Sequence, residues 1–535
     1  MKMSPELPDE LLLMIGEQLH CQPSLAALCR VSKHFNRLFK RILYREIDVR
    51  RCSLDDVTRI YESPLVRYMR HLGPYSFRRG DTIEENVALL EAIISAMPKM
   101  KSLRSFSTGG QFLCLLCHDT MNNPISFVQF LQLLAELETI RDLDLNAPYL
   151  RAKDVIPQFH NLERLSVDLD RKLLGYEKID DYLSEMLLSS PELTHLKLYS
   201  TGDDQYHIPN GLMCLIKTYE QKRQQRSLPV LKLTNLELGE GYVPYRGLHI
   251  SYGYGPDYLS KLTDLTNLRS LRLYNELYYR EDENEATWSG INPQVFANVT
   301  QLHHLAVSEY TGDIGELVML PNLKNTLSEI QISQYYTQKW NGEDNDPISY
   351  FRKAGPPLKK LILGCPAGSS PGEAINVIEK VILKTPQIEQ FATSVTMQSY
   401  ALIKDLVLPS LQNLTAFFIT SNLGALSTSG RRHHQRKMLQ QKENARRAME
   451  IFHINRSLVS ENENFQALRY VGIYKQIFTC RPLNPHFESK DSEDVFAVET
   501  RDTNGKSELA YHKVTELSQC EKQDFSDIIS MIDLP

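Results

Sequence analysis

Along most of the chain, apolar residues recur in a phrase of the form Leu-x-x-Leu-x-Leu. It begins at Ile140/Leu143/Leu145 and returns at Leu162/Leu165/Val167, Leu193/Leu196/Leu198, Leu233/Leu236/Leu238 and Leu268/Leu271/Leu273. Further copies stand at Leu302/Leu305/Val307, Leu327/Ile330/Ile332, Leu358/Leu361/Leu363, Leu414/Phe417/Ile419 and Leu468/Val471/Ile473. The closing pair of each phrase alternates with period two, so both side chains fall on one face of a short strand. The leading residue, three positions upstream, turns into the same core through the preceding bend. One such strand alone leaves its apolar face wet. Stacked neighbours bury it, and stability accrues at each interface between them. The pattern predicts an α/β repeat, with helices over Tyr182–Leu188, Leu212–Tyr219 and Ala374–Leu383 on the outer side. The alternative is one large mixed α/β domain whose strands are rich in leucine.

From Ile140 to Leu358 the leading residues lie 22 to 40 positions apart, around and above the 20–29 residues of a regular leucine-rich repeat, so the copies carry insertions. A wider interval, from Leu414 to Leu468, contains SGRRHHQRKMLQQKENARRA. With no evident apolar stripe, that basic stretch, about 428–460, is expected to be a solvated helical insertion, with a nuclear-import patch as the functional alternative. Residues 476–535 turn acidic and mixed, and are expected to form a C-terminal cap or tail.

The first fifty residues follow another period. Leu11/Leu12, Ile15 and Leu19 recur at helical spacing behind Pro8, with Asp9 and Glu10 placed to complement the positive end of a helix dipole. Ser24 is expected to cap a second helix bearing Leu25, Leu28 and Val31, and Ser32 a third bearing Phe35, Leu38/Phe39 and Ile42. Three helices in so short a segment have too little volume to hide this many large apolar side chains. They dock either on the first repeat or on another chain.

Length and composition set the frame. A chain of 535 residues exceeds one core, which calls for several units or an elongated array. Lys and Arg number 60 against 66 Asp and Glu, a net charge of −6, which gives no broad attraction to nucleic acid or anionic lipid and directs attention to protein partners. No uninterrupted apolar stretch is long enough to span a bilayer, and the acidic start differs from a secretory leader. Nine scattered cysteines among apolar neighbours are expected to be reduced thiols, in the cytoplasm or nucleus.

The order Leu7-Pro8-x-Glu10-Leu11-Leu12-x-x-Ile15-x-x-x-Leu19, then Ser24-Leu25-x-x-Leu28-x-x-Val31-Ser32-Lys33-x-Phe35-x-x-Leu38, resembles the F-box. That resemblance implies a trihelical module at 1–50 that binds the Skp adaptor of SCF-type cullin–RING ubiquitin ligases, followed by an irregular leucine-rich-repeat solenoid over 51–475. The adaptor-facing positions it implies are Leu7, Pro8, Leu11, Ile15, Leu19, Leu28, Val31 and Phe35. Gly16 stands where the family often has a large apolar residue, and Phe35 where it usually has Trp. On this mapping Gly16 faces the adaptor, and Gly16→Leu is expected to strengthen binding.

Catalytic signatures are sparse. Cys114-Leu-Leu-Cys117-His118 matches half of a zinc site or a haem attachment, but its apolar neighbours favour a buried helix, and no second C-x-x-C completes a metal site. No P-loop, G-x-S-x-G or H-E-x-x-H is present. The expectation is a non-enzymatic receptor without cofactors, or a leucine-rich scaffold outside ubiquitination, with an enzyme at Cys114/Cys117 a distant third. An unknown target protein would meet the concave side of the strands and the aromatic-rich loops behind them. Its candidate residues are Tyr199, Arg272, Tyr274, Trp288, Tyr335 and Trp340, since Tyr and Trp offer large contact area at low entropic cost.

Overall fold

A computed structural model of the chain describes residues 7–19, 22–47, 49, 52–73, 82–108, 127–147, 157–170, 177–201, 211–239, 242, 257–274, 291–309, 312–335, 358–366, 378–379, 381–394, 400–420, 433–474, 476–482, 495–500, 508–513 and 525. Two compact units divide it: Met1–Pro244 with Pro256–Leu268, and Tyr245–Gly255 with Arg269–Pro535.

The first unit opens with α1 (Asp9–Gln18), α2 (Gln22–Val31) and α3 (Lys33–Leu43). After them, α4 (Leu54–Glu62) precedes β1 (His71–Leu72), α5 (Ile83–Ala96) precedes β2 (Ser105–Ser107), and α6 (Phe127–Ala135) precedes β3 (Asp142–Ala147). Next come β4 (Arg164–Asp170), α7 (Glu177–Leu188), β5 (His195–Thr201), α8 (Gly211–Gln225) and β6 (Asn235–Leu238). The six strands pair in chain order and all run parallel. Their register places like positions side by side: Leu143 beside Leu165, Leu196 and Leu236, and Leu145 beside Val167, Leu198 and Leu238. All eight side chains are buried, so the second and third apolar positions of each phrase form rows of one continuous core.

The second unit repeats the scheme with β7 (Ser270–Leu273), β8 (His304–Glu309), β9 (Glu329–Tyr335), β10 (Lys360–Pro366), β11 (Gln390–Thr393), β12 (Ala416–Ile419), α9 (His433–Glu461) and β13 (Tyr470–Ile473). Strands β7 to β13 are parallel and sequential. The order then reverses: β14 (Gln476–Pro482) turns back antiparallel on β13, and β16 (Glu508–Lys513) pairs antiparallel with both β14 and β15 (Val495–Thr500).

One backbone device recurs along both units. The carbonyl of the residue after the leading apolar position accepts the N–H groups of two successive residues of the next repeat. In the first unit Arg45, Arg70, Arg104, Arg141, Glu163 and Thr194 supply these carbonyls, and in the second Arg269, His303, Ser328, Lys359, Glu389 and Thr415 do. Every one of these residues is polar, and the bonds measure 2.7–3.3 Å. Each rung fixes the height of the next strand, so intervening segments can vary in length without shifting register.

Three of the parallel strands lie outside the ten phrases. In β2 and β11 the phrase ends in threonine, as Leu103/Phe106/Thr108 and Ile388/Phe391/Thr393, and both threonines are buried. In β1 only Met69 and Leu72 represent it. The stretch expected to be a solvated insertion is also different. From Ala445 onward α9 presents buried Ala445, Ala448, Ile451 and Phe452. Its stripe is built partly from alanine and is continued by polar groups that are satisfied internally. Asn444 Nδ2 donates to Gln476 Oε1 at 3.1 Å, and Asn455 accepts from the Leu468 N–H at 2.9 Å and donates to the Gln466 carbonyl at 3.1 Å.

Candidate functional site

The three N-terminal helices have a small core of their own. Leu25, Cys29, Leu38, Phe39 and Ile42 are buried together, with Leu12, Leu13, Leu19, Leu28, Phe35 and Leu43 packed half-buried around them. Phe35 meets Phe39 edge-on, with ring centroids 5.4 Å apart. Ser32 caps α3 as its sequence predicts, its hydroxyl accepting from the Phe35 N–H at 3.1 Å. Ser24, by contrast, lies inside α2, which begins at Gln22, and Pro8 stands just ahead of α1 rather than in its first turn. Asp9 ties α1 to α3 by reaching His34 Nε2 at 2.9 Å.

A second apolar set remains outside this core. Leu7, Leu11, Met14, Ile15 and Val31 are 53%, 45%, 62%, 48% and 68% exposed. Leu11, Met14 and Ile15 fall at i, i+3 and i+4, and Leu7 extends the stripe by one turn. Pro8 is exposed beside them. Of the positions expected to face an adaptor, Leu7, Pro8, Leu11, Ile15 and Val31 are therefore on the open surface, whereas Leu19, Leu28 and Phe35 spend much of their area on the module's own core. Met14 was absent from that set although its helical spacing to Leu11 identifies it.

Gly16 overturns its expected orientation. It is the buried residue of α1, and a Cβ built there would lie 2.5 Å from Phe39 Cε1 and 2.9 Å from Ile42 Cδ1. The missing side chain lets α1 approach α3; it does not thin the outer surface.

On another side of the module, a cleft of about 520 Å³ is lined by Arg30, Lys33, Arg37 and Lys40, with Cys29, Ser32, Asn36 and Tyr68. Burial pushes the Cys29 thiol above its ordinary range, which leaves it a packing group rather than a nucleophile.

The sheets offer two different open faces. In the first unit, the side chains alternating with the core leucines are polar and mutually neutralised. Ser107 donates to Asp144 at 2.7 Å and Lys197 pairs with Glu237 at 3.1 Å. Tyr199 belongs to this face: its hydroxyl donates to Glu237, its ring receives the Lys197 ammonium 4.5 Å from the centroid, and it lies where a Cβ on Gly239 would have to be. In the second unit Arg272 and Tyr274 stand at the matching positions of and after β7, both partly buried. Tyr335 ends β9, with its side chain outside the description, and Trp288, Trp340 and the Cys114/Cys117 segment lie outside the described residues. Among the described residues no group of three His, Cys, Asp or Glu side chains converges for a metal, and no helix is long and apolar enough to cross a membrane.

The F-box-like family matches residues 4–50, so the chain carries an F-box-like domain at its N-terminus. A solved structure of the Rad7 and Elc1 complex in yeast is similar over 79% of this chain and 91% of that chain, with 13% identity and a TM-score of 0.30. No curated protein matches the sequence.

Proposed function

We propose that this chain is a non-catalytic substrate-receptor subunit of an SCF-type cullin–RING ubiquitin ligase, acting in the cytoplasm or nucleus. A Skp-type adaptor would bind the N-terminal domain, the strand repeats would form an irregular leucine-rich-repeat array that holds a target protein, and other subunits would transfer ubiquitin to the target held near them.

The observation that carries this reading is the apolar stripe of Leu7, Leu11, Met14 and Ile15, with Val31, on an F-box-like module whose own core is already filled without them. A stripe of that size on a soluble surface marks a protein interface. Burying five half-exposed aliphatic side chains at about 1 kcal/mol each offers on the order of 5 kcal/mol. The polar face of the first sheet, with Tyr199 braced between Lys197 and Glu237, supports a target-binding role for the repeats, since a pre-ordered aromatic pays little entropy on contact.

The test is co-purification with a Skp adaptor. The wild-type chain is expected to retain the adaptor, and Leu7→Ala with Leu11→Ala to weaken the complex about 30-fold, the equivalent of roughly 2 kcal/mol. An adaptor that ignores the wild-type chain, or binds the double variant equally well, would refute the receptor reading and leave an interaction scaffold outside ubiquitination.

A further inference from the structure

One stretch of the N-terminal module runs against the charge of the chain as a whole. Acidic residues outnumber basic ones overall, yet between Glu17 and Glu46 there is no Asp or Glu, while Arg30, Lys33, Arg37, Lys40, Arg41 and Arg45 all fall there. Four of these cations, Arg30, Lys33, Arg37 and Lys40, line the cleft at the corner of α2 and α3. Tyr68 joins them from the turn that precedes β1. Its ring is held in place by Arg67, whose Nη2 donates to the hydroxyl at 2.7 Å and whose guanidinium lies 4.7 Å from the ring centroid. The tyrosine's own proton is left to donate.

Little of this charge is neutralised internally. Arg37 shares Asp9 with His34, at 3.7 Å and 2.9 Å respectively. Arg30, Lys33 and Lys40 make no side-chain hydrogen bond or ion pair among the described residues. Their placement also works against the helix that carries them. The first turn of α3 is the positive end of its dipole, where carboxylates stabilise and cations do not, and it holds Lys33 with no acidic residue. Lys33 and Arg37 are moreover like charges four positions apart on one helix face, which is destabilising. Neither arrangement serves the fold, and an anionic occupant of the cleft relieves both.

We propose that this cleft docks an acidic segment of a partner protein, its Asp and Glu carboxylates meeting Arg30, Lys33, Arg37 and Lys40. The spacing fits such an occupant. From Lys33 to Lys40 the rise along α3 is about 10 Å, which about three residues of extended chain cover, so a short acidic run brings carboxylates opposite the whole row. Exposed Val31 lies between Arg30 and Ser32 in the chain and gives an apolar side chain of the same segment a contact at the edge of the cleft. The inference does not rest on adaptor capture: the acidic segment meets α3 and Tyr68, not the outer stripe of α1, so either can fail while the other holds.

The probes are fluorescein-labelled decaglutamate, the corresponding decaglutamine and a labelled DNA duplex, each titrated with the full chain by fluorescence anisotropy at about 50 mM salt. Decaglutamate is expected to bind saturably, to weaken about tenfold or more at roughly 0.5 M salt, and to outbind both other probes. Arg30→Gln with Lys33→Glu should weaken its binding about tenfold. Lys99→Glu with Lys101→Gln, an equal change of charge at two exposed lysines elsewhere in the first unit, should weaken it less than about twofold. Lys40→Ala, at the far end of the row, should weaken it about threefold. Lys33→Glu alone should weaken binding while slowing hydrogen–deuterium exchange across α3, the reverse of what a variant that loses binding by unfolding would show. A wild-type chain that does not take up decaglutamate overturns the proposal, as do equal losses in the two double variants or a Lys40→Ala chain that binds like wild type. Tighter uptake of the duplex through the same residues also overturns it, because the cleft would then serve a phosphate backbone.

Discussion

At Gly16 the backbone of α1 lies against the Phe39 ring and the Ile42 side chain, with no room for even one additional carbon. Gly16→Ala therefore trades a gain in helix propensity of up to ~1 kcal/mol for an overlap whose relief costs about 1–3 kcal/mol. Hydrogen–deuterium exchange across residues 9–18 of the full chain is expected to rise, with loss of adaptor capture as a consequence. Sequence spacing alone placed Gly16 next to Ile15 on the outer face, because the stripe of α1 is read equally well with either neighbour inside. The close approach to α3 settles the orientation. Asp180 illustrates a different cost. It is buried on α7, and burial pushes its carboxyl up to about 7. Between about pH 4 and 7 the folded chain keeps a proton that the unfolded chain releases, so this residue makes stability fall as pH rises through that window and stay lowered above it. Asp180→Asn is expected to raise the urea midpoint at pH 8, by the equivalent of roughly 1–3 kcal/mol, and to leave it nearly unchanged at pH 4.

Among the elements, α9 shows how a helix with a highly polar sequence can still belong to a core. Its buried side includes Arg447, paired with Glu443 at 3.0 Å, and Asn455, which satisfies the backbone on both sides of the turn leading into β13. Asn455→Ala would leave the buried Leu468 N–H without a partner, and should cost about 2 kcal/mol. Arg446→Ala should change stability by less than about 1 kcal/mol although Arg446 pairs with Glu443 at 2.7 Å, because that pair stands in solvent. Comparing the urea midpoints of the two variants with wild type tests both. The strands were more legible than the helices: a buried strand advertises itself with two apolar residues at fixed spacing, whereas α9 uses alanine and hydrogen-bonded polar groups where a pattern search expects leucine. Thr108 and Thr393 hid two strands for a related reason, since a threonine can fill a β-branched core position while reading as polar.

Across the whole chain, the phrase at Ile140–Ile473 was enough to place ten of the parallel strands, and the helical spacing of Leu7–Ile42 to place the three-helix module. What stayed illegible was long-range: which side of α1 meets α3, and that Phe525 returns to pack on Phe418 and Tyr470 of the sheet. Neither leaves a local period, because each depends on residues far apart in sequence meeting through the fold. Of the residues expected to meet a target, Tyr199 stands on the open face of the first sheet, while Trp288 and Trp340 fall in segments outside the described residues. The rung built on Arg45 has a further consequence. Its carbonyl, two residues beyond the end of α3, accepts the N–H groups of Arg70 and His71, so the end of the helical module is hydrogen-bonded straight to the first strand of the sheet although α4 intervenes in sequence. Whatever grips α1 thus also holds β1 and the strands stacked on it. In mechanical terms the N-terminal unit is a handle rather than a tether: it transmits orientation as well as proximity.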